Sequence, residues 1–261
     1  MIKTIILITA MAGAVLLLLL VFQRNLLFPK PLGKLPTTLP PHVEKIDLNE
    51  GYALFVRSDL GSNPQKPLVF FSHGNAELAF WSIEPMAYFN DLGFHVLLYE
   101  YPGYGGAEGS PSRDSIERAA IEAYDKIISR PEVDPKKMII YGRSIGGGAA
   151  TVLASHRPAA ALILESTFSA LSTLVAEKGM PSFLLRDRFD NEAIVADLQI
   201  PIFLYHGSED RLIPIEHSLR LKSAAQNATL VTAPCGHNNC PRPWAQLEPF
   251  LMAHGLLEAN N

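Results

Sequence analysis

The 261-residue chain is poor in cysteine: Cys235 and Cys240 are its only two. Two thiols are too few for a disulfide framework and too few to close a zinc site by themselves. Charge is also scarce, at 18% of residues, and nearly balanced, with 26 acidic against 22 basic side chains and a net charge of −4. No block of Lys and Arg stands out, so the electrostatic footprint of a nucleic-acid-binding protein is missing. No internal repeat is visible, which excludes a solenoid. Hydrophobic residues make up 48% of the chain, enough for a sizeable core and too many for a disordered chain.

Apolar residues are concentrated first at the N-terminus. Ile5 to Phe22 is a run of 18 residues broken only by Thr9. As a helix it would reach about 27 Å at 1.5 Å per residue, close to the thickness of a bilayer's hydrocarbon core. A buried helix of a soluble domain is one alternative, but nothing polar marks an outer face; the main rival is a cleaved leader, but its small-x-small triplets, Ala10-Met11-Ala12 and Ala12-Gly13-Ala14, fall inside the run. Cleavage there would leave Val15 to Phe22 as an exposed apolar end, and a leader's apolar region is usually shorter. The expectation is therefore an uncleaved single-pass anchor over residues 1–24. Lys3 and the amino group oppose Arg24, Lys30 and Lys34, so the side of the membrane stays open. Residues 25–42 contain Pro29, Pro31, Pro36, Pro40 and Pro41 and read as an extended linker, with Leu26, Leu27 and Phe28 at the membrane interface. A chain starting at Lys34 is expected to leave the membrane and stay active.

Residues 43–261 read as one catalytic domain. Glu44 to Asn49 and Tyr52 to Arg57 flank Glu50-Gly51 as a hairpin. Short apolar runs follow at Pro67–Ser72, Phe94–Tyr99, Met138–Tyr141, Ala160–Leu164, Ile202–Tyr205 and Thr229–Thr232. They do not alternate, as expected of strands buried on both faces. Between them, Ile116, Ala119, Ala120, Ala123, Tyr124, Ile127 and Ile128 share one helical face, with Ser112 or Asp114 as cap and Pro131 as stop. Strand–helix alternation predicts an α/β domain with a mostly parallel sheet covered on both faces by helices.

Gly142-Arg143-Ser144-Ile145-Gly146 follows one of these strands and opens an Ala- and Gly-rich helix. That is the setting of a G-x-S-x-G nucleophile turn, in which the flanking glycines admit close backbone. A serine hydroxyl needs a base. Among eight histidines, His237 fits best, in the loop after the last strand. His95 lies within a strand and reads as packed core; His42, His156, His217 and His254 read as surface residues; His73 and His206 read as turn residues before glycine. Asp210 is placed to orient His237, and the chain order Ser144, Asp210, His237 suits this motif. Glu165 is the runner-up acid, Glu209 should point elsewhere, and Asp187 and Asp190 read as surface ion pairs. The oxyanion donors expected are the N–H groups of Ile145 and Asn75, with Ala76 as the neighbouring choice for the second. Gly103, Gly105 and Gly109 do not match a dinucleotide fingerprint and read as a structural loop. Cys235 and Cys240 bracket His237 and are either a disulfide bracing that loop or free thiols; metal ligation there would consume the base. Neither cofactor nor metal is expected.

The set H-G-N-A (73–76), Y-P-G-Y-G (101–105), G-R-S-I-G (142–146), H-G-S-E-D (206–210) and G-H-N (236–238) resembles the α/β-hydrolase superfamily. More narrowly it is similar to small membrane-anchored serine hydrolases, depalmitoylase-like or serine-aminopeptidase-like. The resemblance covers residues 43–257 and the anchor. It implies Ser144, Asp210 and His237 as a catalytic triad and the 73–76 turn as part of an oxyanion hole; Cys240 departs from the pattern. The stretch from Glu165 to Pro201 is where a cap would be inserted, and its shortness predicts a small cap or none. Phe168, Met180, Phe183, Leu184, Leu185 and Phe189, with Phe80 and Trp81, are its candidates for an apolar pocket wall. The expected reaction is hydrolysis of a carboxylic ester or thioester through an acyl-enzyme. The expected substrate is a small or lipid-like acyl compound or a lipidated protein. Peptidase or amidase activity, and a non-catalytic binding protein on the same scaffold, stay open.

Overall fold

The computed structural model describes residues 2–61 and 63–258, without the side chains of Ile2, Ile5, Ile6, Ile8, Thr9 and Ala12. The chain opens with helix α1 (Ile2–Leu27). Eight strands then form one sheet in the order β1-β2-β4-β3-β5-β6-β7-β8. β1 (Val43–Leu48) and β2 (Gly51–Val56) make the predicted hairpin, and β2 runs antiparallel to β4 (His95–Tyr99). β3 (Lys66–Ser72), β5 (Val133–Arg143), β6 (Ala161–Glu165), β7 (Ile202–Gly207) and β8 (Ala228–Ala233) continue in parallel. The helices after α1 are α2 (Ile83–Asp91), α3 (Arg113–Ile128), α4 (Ile145–His156), α5 (Leu171–Glu177), α6 (Asn191–Asp197), α7 (Glu216–Ala224) and α8 (Trp244–Ala253).

Period-two side-chain alternation divides the core. Leu68, Phe70, Ile140 and Leu162 join Ala123, Val152 and Leu221 on the face covered by α3, α4 and α7. Val69, Phe71, Ile139 and Ile163 join Phe89 and Leu251 on the opposite face, under α2 and α8. Because both faces are covered, the central strands carry no polar face, which explains their unbroken apolar sequence. α3 starts where predicted: the Ser112 side chain accepts from the Ser115 N–H in a reciprocal capping box. It ends at Ile128, ahead of Pro131.

Two expectations for the N-terminus change. α1 runs on to Leu27, past the expected boundary at residue 24. Its end is then fastened to the domain rather than leading straight into a loose tether. Phe28 is 1% exposed and part of the core. The Gln23 amide donates to the Leu184 carbonyl at 3.2 Å and accepts from the Arg186 N–H at 2.8 Å. Arg24 forms a bidentate pair with Asp187, at 2.7 and 3.0 Å. Residues 29–42 have no regular structure, as their prolines predict. Among the described residues no helix is long and apolar enough to cross a membrane, so the structure gives the expected anchor no support of its own.

Candidate active site

β5 delivers Ser144 into a sharp turn before α4. Ser144 has φ 54° and ψ −122°, a left-handed conformation that a non-glycine residue holds only under constraint. The constraint is close packing on either side. A Cβ on Gly142 would lie 2.3 Å from the Gly146 carbonyl oxygen, and one on Gly146 would lie 2.1 Å from that of Ser72. The Ser144 N–H donates to the Glu165 carbonyl at 2.9 Å and its own carbonyl accepts from Thr167 Oγ1 at 2.7 Å. These contacts fix the turn that presents Oγ to His237.

The structure brings Ser144, His237 and Asp210 together. His237 Nε2 lies 3.0 Å from Ser144 Oγ, and His237 Nδ1 lies 2.7 Å from Asp210 Oδ2. Asp210 Oδ1 accepts from the N–H groups of Leu212 and Ile213, each at 2.9 Å. Burial pushes the Asp210 carboxyl up, but bonds from His206, His237 and Ile213 outweigh it and hold it well below the usual carboxylate range. Asp210 is thus an anion aimed at one imidazole nitrogen. The His237 loop is braced by the Cys235–Cys240 disulfide and by Arg143, which donates to the His237 carbonyl at 3.1 Å.

Several neighbouring residues sit otherwise than expected. Glu165 is buried, but it accepts from Tyr141 and Arg242 and faces Arg143 Nε at 3.5 Å. It is a structural counter-ion, not the partner of His237. His206 is fully buried, bonded to Ser218 Oγ at 2.7 Å and the Ile213 carbonyl at 2.8 Å, so more than turn geometry holds it. His217 is not at the surface: it is buried, accepts from the Ser169 N–H at 3.1 Å and meets Glu177 at 3.1 Å. Asp187 is 2% exposed and binds Arg24 and the Arg113 N–H, while Asp190 caps α6. Glu209 is exposed, and His95 is in the core, as expected.

Asn75 and Ile145 line the pocket over Ser144. The turn that carries Asn75 is set by groups for which the sequence suggested no such role. His73 is buried between the Gly74 carbonyl at 2.8 Å and the Glu100 carboxylate at 2.9 Å, so it too is more than a turn residue. Both ring neighbours are acceptors, which favours the doubly protonated ring; burial opposes the charge, but Glu100 prevails and the His73 pKa is raised. From the glycine-rich loop, Tyr101 donates to the His73 carbonyl at 2.5 Å and Tyr104 to Asn75 Oδ1 at 3.2 Å. The Ala76 N–H, the other donor considered for the oxyanion, donates to Asn75 Oδ1 at 3.1 Å. Tyr101 and Tyr104, spaced around glycines just after a strand, were the available sequence signal for this support.

The pocket has a volume of about 210 Å³. Phe168 and Met180 line it, as expected of the short cap, together with Leu171, Val175 and Leu212. Phe80 and Trp81 do not line it; Phe189 packs on Phe168 in the core. Leu26 and Leu27 of α1 complete the wall, and the Leu27 carbonyl accepts from the Asn75 side chain at 2.8 Å. Residues expected at a membrane interface are thus part of the site.

A parallel sheet with a serine turn after β5, and an acid and a histidine after β7 and β8, define an α/β hydrolase. The model of the family described as "Serine aminopeptidase, S33" matches residues 63–186, the part holding Asn75 and Ser144 but not Asp210 or His237. An uncharacterized protein of Mycobacterium tuberculosis, Rv2307c, is 30% identical over 245 residues, 87% of this chain and 85% of that protein. The α/β-hydrolase domain-containing protein WAV2 of Arabidopsis thaliana is 30% identical over 164 residues, 54% of this chain and 53% of its own. An esterase of Pyrococcus furiosus superposes with a TM-score of 0.69 at 16% identity, covering 87% of this chain and 97% of that one. The chain belongs to the α/β-hydrolase superfamily.

Proposed function

We propose that this hydrolase cleaves carboxylic esters or thioesters of acyl chains through an acyl-enzyme on Ser144. The observation that carries the reading is the hydrogen-bonded chain Ser144 Oγ, His237, Asp210, at 3.0 and 2.7 Å. Ser144 Oγ attacks the carbonyl carbon while His237 Nε2 takes its proton. Asp210 holds Nδ1–H and offsets the imidazolium charge. The N–H groups of Ile145 and Asn75 receive the oxyanion. His237 then protonates the leaving alcohol or thiol and activates the water that releases the acid.

The pocket's chemistry favours an acyl ester over an N-terminal peptide. An aminopeptidase must bind a protonated amine, which calls for a carboxylate. The pocket's lining is apolar apart from Asn75, Ser144 and Lys178, and Lys178 would repel an ammonium group. A non-catalytic binding protein would have no need of a base aligned on a strained serine. Neither cofactor nor metal enters this scheme.

The apolar sequence from Ile5 to Phe22 supports a single-pass anchor, with lipid-like acyl compounds or lipidated proteins as substrates. Arg24, one of the charges that left the orientation open, is neutralised by Asp187. The Cys235–Cys240 disulfide favours an oxidising compartment for the catalytic domain.

Labelling with a fluorophosphonate tests the chemistry. The wild type is expected to label and Ser144→Ala not to; equal labelling of both refutes it. A panel of p-nitrophenyl esters, acyl thioesters and aminoacyl amides tests the substrate class, and an exclusive preference for amides overturns the ester reading.

A further inference from the structure

A second cavity, of about 150 Å³, adjoins the pocket over Ser144. The two share Leu26, Leu27, Val175 and Met180 as walls, and the second also takes in Leu184 and Leu19, the latter about two turns back along α1 from Leu26 and Leu27. We propose that this groove between α1 and the short cap is the binding site for the distal part of an unbranched acyl chain, so that α1 is a wall of the substrate site as well as the start of the chain. The inference rests on the ester-hydrolase reading above and adds to it the chain's path and the residues that measure its length.

Three observations select this occupant. The groove lies against the space over Ser144, with Leu26, Leu27, Val175 and Met180 lining both, so a chain whose carbonyl meets Ser144 Oγ has only those side chains to pass to reach it. Its one polar lining residue is Gln23, whose amide is committed on both sides, donating to Leu184 and accepting from Arg186. No polar lining group is left to recognise a polar ligand, and the gain on filling the groove comes from apolar surface removed from water. The groove's far end lies along α1, where Leu16, Leu17, Val21 and Phe22 are exposed; on the cap side Met180, which lines the groove, and Phe183 are exposed as well. An apolar rim of this kind lets a chain enter lengthwise from an apolar phase without crossing water.

Two experiments on the full-length protein in detergent micelles test the path. The first uses a long-chain alkyl fluorophosphonate carrying a diazirine near the chain end. Ser144 Oγ forms the bond to phosphorus as fluoride leaves, and light then converts the diazirine to a carbene that inserts into its neighbours. Crosslinks on residues 19–27 or 180–185 are expected. A phosphonylated Ser144 with crosslinks only elsewhere overturns the groove and spares the hydrolase reading; no phosphonylation overturns the hydrolase reading itself. The second compares p-nitrophenyl butyrate with the dodecanoate for the wild type and for Leu184→Trp, which fills the groove beyond the shared walls. The dodecanoate-to-butyrate ratio of kcat/KM is expected to fall by about tenfold or more, the worth of roughly two buried methylenes. An unchanged ratio overturns the proposal. The crosslinking arm needs no substitution, so a variant that folds poorly does not shield it.

Discussion

Replacing Asp210 by Asn separates the orienting role of this residue from its shape. The outcome follows from how its two oxygens are used. Oδ1 accepts from the N–H groups of Leu212 and Ile213 at 2.9 Å each, so an asparagine keeps its carbonyl oxygen there. Its NH2 group is then forced to the Oδ2 position, 2.7 Å from His237 Nδ1. Two donors cannot face each other, so His237 must present Nδ1 as acceptor and carry its proton on Nε2, toward Ser144. It can no longer take the serine proton. The loss of tautomer and of the offsetting charge together is expected to lower kcat by about 10⁴, roughly 5 kcal/mol of barrier. The assay is kcat on a short p-nitrophenyl ester, with circular dichroism confirming the fold. A variant within tenfold of the wild type would refute the assignment of Asp210 as the orienting anion.

Glu165→Gln strips Arg242 of its buried counter-ion and leaves Arg143 with Glu77 alone; denaturant unfolding should show a loss of about 3 kcal/mol, and a loss below about 0.5 kcal/mol would count against the network. Burial holds His95 near pKa 4, below its ordinary 6.5. The folded state therefore resists its protonation, and the stability it contributes above pH 6.5 is lost as pH falls toward 4. The loss amounts to roughly 3 kcal/mol and should be smaller in His95→Gln when unfolding is followed across that range. Deleting residues 1–33 removes Phe28 from the core and strips Asp187 of Arg24. The shortened domain is expected to be destabilised by about 3 kcal/mol or more and to lose long-chain ester hydrolysis, against the simpler view that a chain beginning at Lys34 stays active; full activity would show that α1 is dispensable to the site.

Much of the architecture was legible because burial on both faces writes itself into short apolar runs such as Val69–Phe71 and Ile139–Tyr141. Ser144 was legible because glycines are required where backbone approaches as closely as at residues 142 and 146. His237 and Asp210 followed from chain order. What escaped depends on partners far away in sequence. Nothing near His217 announces the Ser169 N–H, and nothing near Asp187 announces Arg24. Leu26 and Leu27 read as interface residues because a helix end and a pocket wall share the same apolar composition. The Cys235–Cys240 pairing stayed open because two nearby thiols bond or stay free according to loop geometry, which the spacing alone does not set.

The contact between Gly146 and the end of β3 has a wider consequence. The turn that holds the nucleophile and the strand leading to the oxyanion turn touch backbone to backbone, so neither can shift without the other. The reacting atoms are set by the sheet itself. The wall opposite them comes from α1 and the short cap, elements outside that rigid frame. A lineage can therefore exchange those side chains, and with them the molecules it accepts, while the bond-breaking apparatus stays as it is.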